Sequence, residues 1–366
     1  MKTLAIIGST GSIGETSLKI FKKNNKFLKL VSLVANTNVK KLYKQKNKYK
    51  PESICLLKND KSNLNLDFKK NFLNKYKNKK IDFIISGIDG YESLKTNFKL
   101  LQVCKNLLIA NKETIICGGS IFLKYAKKYN CNIIPIDSEH HCIDFFLKNF
   151  NLKNDICKIY LCASGGPFFN RKLKYNEKVK NVLNHPNWKM GKRITVNSST
   201  FANKVMEFFE AKILFDLKSN MIDVVVEETS NIHAIIQLKN KMTFPIMHKT
   251  DMIIPIANSL FLKNPHQYKL FDIKFNLQKP CEKKFPLVKV GKKILSSNSH
   301  TSMILFTVLN ERLVNLFLEN KIKYGDIVKT LVKFFNKKEY KSLKIKKISK
   351  INDIINTINY GKNLKI

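Results

Sequence analysis

Through the first third of the chain, short apolar runs alternate with lysine-rich amphipathic stretches. Leu4–Ile7, Leu30–Ala35, Ser53–Leu57, Ile81–Ser86, Asn106–Ala110 and Asn132–Ile136 have the length and bulk of buried β-strands. The segments between them, such as Glu15–Asn24 and Tyr91–Cys104, space their apolar residues as helices do, as do 39–50 and 67–77. Strands and helices in alternation predict a parallel sheet covered on both faces. From about Asp137 the pattern changes. Glycine, histidine, serine and carboxylates cluster between Asp137 and Glu210, and strand-like runs fall at Lys158–Cys162, Arg193–Val196, Ile222–Val226 and Ala234–Leu238. This half predicts an α+β domain that carries polar chemistry. The irregular stretch around Asn264–Phe285, with Pro265, Pro280 and nearby Pro286, reads as a linker. Beyond Lys289 the spacing of Leu305, Val308, Leu309 and Leu313 predicts a small helical domain. No internal repeat is visible.

Composition narrows this only slightly. With 366 residues, 44% hydrophobic and 26% charged, wholesale disorder is excluded. Eight cysteines without a CxxC pair read as thiols of a reducing compartment. No uninterrupted apolar run reaches the roughly 18 residues of a membrane span. The apolar stretch Leu4–Ile7 is too short for a signal sequence, which points to a cytoplasmic protein. Charge is more conspicuous: 67 Lys+Arg against 27 Asp+Glu, a net +40. A polyanionic partner would explain it. The excess is nearly all lysine, however, spread from Lys2 to Lys365 with abundant Asn, Ile and Phe, whose codons are AT-rich. Compositional drift accounts for that pattern, so no specific nucleic acid and no membrane partner is expected.

Candidate chemistry begins at Gly8-Ser9-Thr10-Gly11-Ser12-Ile13-Gly14, between the first strand and the first helix. Glycines there permit a tight turn and close backbone approach to a pyrophosphate, at the positive end of a helix. After the second strand, Asn36-Thr37-Asn38-Val39-Lys40 lacks the acid that would hold an NAD ribose, which favours NADP. Asn111-Lys112-Glu113 follows a strand on the side where open α/β sheets bind ligands. Asp137-Ser138-Glu139-His140 offers hard oxygen donors suited to Mg²⁺ or Mn²⁺, or else a capping acid beside core histidines. Ser164-Gly165-Gly166-Pro167-Phe168 exposes a hydroxyl and backbone amides. His185-Pro186-Asn187-Trp188-Lys189-Met190-Gly191, with the only tryptophan, resembles a mobile lid (185–193). Finally, Ser198, Ser199 and Thr200 are placed to cap a helix whose Asn203, Lys204 and Glu207 share one face.

Six of these segments, all but Asn36–Lys40, in this order and spacing across about residues 1–260, resemble 1-deoxy-D-xylulose 5-phosphate reductoisomerase, with a looser fit at Leu309-Asn310-Glu311. The resemblance implies a homodimeric, cytoplasmic enzyme of the non-mevalonate isoprenoid pathway. It would rearrange the carbon skeleton of its sugar phosphate and reduce the resulting aldehyde to 2-C-methyl-D-erythritol 4-phosphate with NADPH. The implied fold class is α/β: a Rossmann-like dinucleotide-binding domain (1–136), an α+β catalytic domain (137–260), a linker (261–288) and a C-terminal helical domain (289–366). Asp137, Glu139 and Glu207 would ligate the metal. Lys112, Ser138, Ser164, His185, Ser198, Asn203 and Lys204 would complete the substrate site. Thr10, Gly11, Ser12, Ile13, Asn36, Thr37, Asn38, Asn111, Glu113 and Gly191 would hold NADPH.

The chain departs from the family pattern in places. Asn36-Thr37-Asn38 stands where Gly-Lys-Asn is usual, Asn197 for an acid, Val205 for a glycine, and Glu227-Glu228 for a His-Pro pair. A generic NADP oxidoreductase and a basic nucleic-acid-binding protein are the alternatives. The three carboxylates argue against the first, because hydride transfer alone needs no metal site.

Overall fold

Strand β1 (Lys2–Ile7) enters a tight turn and then α1 (Ser12–Lys23). The alternation continues through β2 (Leu28–Ala35), α2 (Val39–Tyr49), β3 (Ser53–Leu56), α3 (Asn74–Tyr76), β4 (Ile81–Ser86), α4 (Ser93–Leu100), β5 (Cys104–Ile109), α5 (Lys112–Lys128) and β6 (Asn132–Pro135). All six strands pair in parallel, in the order β3-β2-β1-β4-β5-β6. That is the doubly wound dinucleotide-binding order, and every strand expected here is present, with ends shifted by two residues or fewer. Strands such as β2 are apolar almost throughout because both faces are covered. Leu4, Ile6, Leu33, Ile85 and Leu108 of the sheet share one core with Leu18 and Ile20 of α1. The structure is a computed structural model and describes residues 1–58, 66–186, 190–261, 276–337, 340, 342–343 and 346–365.

The second half comprises α6 (Ser138–Phe150), β7 (Ile156–Ala163), α7 (Val179–Val182), α8 (Lys192–Ser199), α9 (Ala202–Phe215), β8 (Ile222–Glu227), β9 (Ile232–Leu238), β10 (Thr243–Met247), α10 (Ile253–Ser259) and β11 (Leu277–Gln278). The helices α11 (Leu287–Ser296), α12 (His300–Leu318), α13 (Tyr324–Asn336) and α14 (Ile351–Asn363) follow. Here the sheet is mixed, in the order β10-β9-β7-β8-β11, with β7 and β8 parallel and the other pairs antiparallel.

Two compact units are interleaved along the chain. One is Met1–Thr114, Phe122–His141 and Asp251–Lys269; the other is Ile115–Ile121, Cys142–Thr250 and Leu270–Ile366. Helix α10 joins the first unit because Ile256, Ala257 and Leu260 are buried in its core. The expected C-terminal helices share a single core with the mixed sheet: Val205 and Phe209 of α9 lie in one cluster with Leu287, Leu305, Phe306 and Leu331. Helix α12 has the length and mean hydropathy (1.2) of a membrane span, but 72% of that window is buried, which marks it as the central helix of this core.

Two expectations need correction. Arg193–Val196 is not a strand; it lies in α8. The β-branched run Ile194-Thr195-Val196 suggested β, but its neighbours bury Thr195, Val196 and Ser199 at helical spacing. Side-chain bonds from Thr195 Oγ1 to Gly191 O (3.0 Å) and from Ser199 Oγ to Val196 O (2.7 Å) support the turns. Tertiary packing overrides β-propensity here. The expected linker is also more ordered than it reads, since Leu277–Gln278 pairs with Glu227 and Val226 at the sheet edge. Residues 264–275 of that stretch lie outside the described residues.

Candidate functional site

In the first unit the glycine turn is held by backbone geometry. Gly8 has φ +82°, and a Cβ on Gly14 would lie 2.4 Å from Gly8 O, so α1 seats against the turn more closely than any side chain allows. Gly11 is the N-cap of α1 and supplies no capping oxygen, leaving the helix start to an outside acceptor. Thr10, Gly11, Ser12 and Ile13 therefore surround an anion-receptive helix end. Two residues overlooked in the sequence lock the turn. Buried Gln45 donates to Ser9 O (2.9 Å) and accepts from Ser9 Oγ (2.8 Å), while Lys41 Nζ donates to Thr10 O (2.9 Å). Nothing in their local sequence marks them, because both arrive from α2. Asn36, Thr37 and Asn38 are exposed after β2, and Asn38 Oδ1 accepts from Lys41 N (3.0 Å) to cap α2.

Beyond β5, Asn111 caps α5 through Thr114 N (2.7 Å) and its amide donates to Glu113 (2.9 Å) and Gly90 O (3.2 Å). Ser93 Oγ bonds the Asn111 oxygen (2.9 Å), and Asn97 bonds Thr114 Oγ1 (2.8 Å) and Ser86 Oγ (2.7 Å). This buried network ties the β4–α4 loop to the start of α5. Lys112 is buried with Nζ 2.9 Å from Asp137 Oδ2, and His140 Nδ1 lies 3.3 Å from the same oxygen. Burial pushes the Asp137 carboxyl up, but the Lys112 charge and the His140 contact outweigh it and hold the group well below the usual carboxylate range. Asp137 precedes α6, and its carbonyl accepts from His141 N (2.8 Å) in the first turn of that helix. Glu139 sits in the first turn of α6, where Ser138 Oγ donates to its Oε2 (2.6 Å).

In the second unit, Ser164 follows β7 and is succeeded by Gly165 and Gly166, both at positive φ. Ser164 Oγ lies 3.0 Å and Ser198 Oγ 3.3 Å from His185 Nε2. Three chain-distant residues thus converge, and burial pushes the His185 pKa down. Ser198, Ser199 and Thr200, expected to cap the start of one helix, instead close a separate helix that precedes it. Ser198 and Ser199 end α8, and Phe201 turns left-handed (φ +63°) before α9. Phe201 is buried against Phe285, with ring centroids 4.3 Å apart, and that packing sets the break. On α9 the expected polar face is present. Lys204 Nζ lies 2.6 Å from Glu207 Oε2, and the Asn203 amide donates to Glu207 Oε1. Lys204 and Glu207 are both buried. Gly191 caps the start of α8. Asn187, Trp188 and Lys189 of the expected lid lie outside the described residues. Sequence reading missed the anchors of α8: Arg193 pairs with Glu311 (2.7 Å), and Asn310 donates to Asn197 (2.9 Å).

Three family profiles match the chain: 1-deoxy-D-xylulose 5-phosphate reductoisomerase over residues 4–119, the C-terminal domain of that enzyme over 133–215, and the DXP reductoisomerase C-terminal domain over 247–360. A reductoisomerase of this name from Pelagibacter ubique is 40% identical, over 98% of this chain and 97% of its own. One from Wolbachia pipientis subsp. Culex pipiens is 35% identical, over 92% and 91%. Among solved structures, a DOX-P reductoisomerase complex with NADPH, fosmidomycin and magnesium superposes with a TM-score of 0.87 at 26% identity, covering 99% of this chain and 97% of that one. The Zymomonas mobilis enzyme, at 23% identity and a TM-score of 0.83, shares the fold. The ordered motifs, the doubly wound sheet and relatives matched over nearly their whole length lead to one assignment: this chain belongs to the 1-deoxy-D-xylulose 5-phosphate reductoisomerase family.

Proposed function

We propose that the chain converts 1-deoxy-D-xylulose 5-phosphate to 2-C-methyl-D-erythritol 4-phosphate, using NADPH and a divalent cation, Mg²⁺ or Mn²⁺. The observation that carries the reading is the polar face of α9, where half-buried Asn203 and buried Lys204 and Glu207 present an amide, a cation and a carboxylate together. Buried polar groups on a helix packed nearly all round must be compensated by partners, and a polar substrate or cation supplies such partners. The residues fit both absent groups. The turn from Gly8 to Gly14 gives a pyrophosphate close backbone approach at a helix start, and Asp137, Glu139 and Glu207 are hard oxygen donors of the kind Mg²⁺ and Mn²⁺ take.

When bound, the cation supplies Lewis-acid polarisation of the substrate oxygens and NADPH supplies the hydride. The protein's own residues do the rest. Lys112 keeps Asp137 ionised and ready to ligate. Ser138 orients Glu139, while Lys204 and Asn203 orient Glu207. The hydroxyls of Ser164 and Ser198 with His185 form a cradle for the substrate's phosphate, with Asn203 and Lys204 extending the hydrogen-bonding surface. Fixed remotely in this way, the phosphate supplies binding energy that positions the reacting carbons of the sugar. Overall, sugar phosphate, NADPH and one proton yield the branched polyol phosphate and NADP⁺.

In this reading residues 1–136 bind the dinucleotide, 137–260 carry the chemistry, 261–288 link, and 289–366 support the core. Asn36, Thr37, Asn38, Asn111, Glu113 and Gly191 contact NADPH, and the enzyme works as a cytoplasmic homodimer. The generic oxidoreductase alternative leaves the carboxylate set without a task. The test follows NADPH oxidation with 1-deoxy-D-xylulose 5-phosphate, in Mg²⁺, in Mn²⁺ and in excess chelator. Substrate-dependent oxidation abolished by chelator is expected, and full turnover in chelator overturns the reading.

A further inference from the structure

Outside the candidate site, one pair of reactive groups in the first unit is unused by any role assigned so far. Cys104 opens β5 and Cys131 immediately precedes β6. Their Sγ atoms lie 3.3 Å apart, and both residues are buried, Cys104 at 0% and Cys131 at 5% exposure. Neither is disulfide-bonded. Two thiols brought this close across neighbouring strands need a sulfur–sulfur shortening of only about 1.2 Å to reach bond length. The pair is also asymmetric. Cys131 is the one with residual access to solvent. Its Sγ is hydrogen-bonded to the Cys104 sulfur and lies near the Lys80 ammonium, and these outweigh burial to lower its thiol pKa, while burial raises that of Cys104 well above the ordinary value.

We propose that Cys104 and Cys131 form a dithiol site that takes a small hydroperoxide and closes to an intramolecular disulfide, with Cys131 as the attacking thiol and Cys104 as the resolving one. In the first step the Cys131 thiolate attacks one oxygen of the peroxide. The O–O bond breaks, the leaving hydroxide takes a proton to become water, and Cys131 becomes a sulfenic acid. In the second, the Cys104 sulfur attacks the sulfenic sulfur, the S–O bond breaks, and the Cys104 proton leaves with the hydroxyl as a second water. The two thiols lose two electrons in all and the peroxide gains them. The closed bridge would join the starts of β5 and β6, the strands that lead into Lys112 and Asp137. A thiol reductant reopens it by exchange.

The experiment uses the full-length chain, purified reduced and folded, and treated with about one equivalent of hydrogen peroxide. Intact mass and peptide mapping follow, with and without dithiothreitol. The proposal expects a loss of about 2 Da per chain, a Cys104–Cys131 cross-linked peptide, and full reversal by the reductant. In Cys104→Ser the reaction should stop at a sulfenic acid on Cys131 that dimedone traps. Oxidation confined to the exposed Cys157 and Cys281, with no 104–131 link in the wild-type chain, overturns the proposal. So does dimedone labelling of Cys104 in Cys131→Ser with none on Cys131 in Cys104→Ser, because the order of attack is then reversed. The wild-type mapping stands even if a serine variant fails to fold.

Discussion

The glycine turn of the first unit and the serine–histidine cluster of the second are both suited to phosphate groups, yet they are built in opposite ways. The turn spans Gly8 to Gly14, seven consecutive residues whose offered groups are main-chain amides and whose shape depends on absent side chains. The cluster gathers Ser164, His185 and Ser198 from three segments, and what it offers is side-chain chemistry. A site made of backbone tolerates loss of its side chains and fails when a carbon is added. A site made of side chains fails when one is removed.

The largest effect should come from Glu207→Gln, which keeps the size and removes the charge. We expect kcat to fall by more than about a hundredfold, with metal affinity weakened, since even outer partners of metal ligands cost that order. A metal titration with steady-state kinetics checks it, and near-native values would remove Glu207 from the ligand set. Lys204→Ala should raise KM for the sugar phosphate by about ten- to a hundredfold, the worth of a charged hydrogen bond, with a smaller loss in kcat and little change in NADPH affinity.

In the first unit the sign inverts. Gly14→Ala places a methyl 2.4 Å from Gly8 O. It should cost about 1–3 kcal/mol of stability and weaken NADPH binding, read by thermal unfolding and by cofactor fluorescence. Loss of protonation balance should matter less. Burial depresses the pKa of both His185 and His300 below 6.5, so the folded state favours neutral imidazoles. Their contribution is present above the unfolded value and is lost as pH falls through the folded one. Unfolding midpoints should therefore drop on acidification below 6.5, less steeply in His300→Gln. Smallest of all, Ser12→Ala should change KM for NADPH by no more than about twofold, as expected of an exposed side chain beside a backbone site. A larger change would show that the turn works through its hydroxyls, and the contrast would collapse.

The parallel sheet is legible in the residue pattern alone, because six apolar runs covered on both faces leave a signature that no distant contact needs to complete. The glycine turn and the shared face of Asn203, Lys204 and Glu207 are legible there too, since each is local and obeys helix or turn geometry. Packing between remote segments makes Arg193–Val196 helical, separates α8 from α9 at Phe201, and joins the C-terminal helices to the mixed sheet's core. Gln45 beside Ser9, Arg193 beside Glu311 and Cys104 beside Cys131 are equally hidden from the residue pattern. In each case the deciding partner is far away along the chain: Phe285 for the break, Glu311 for the anchor, Ser9 for the lock. Propensity and spacing report only what a residue does with its near neighbours, and packing energy between remote segments is large enough to overrule them.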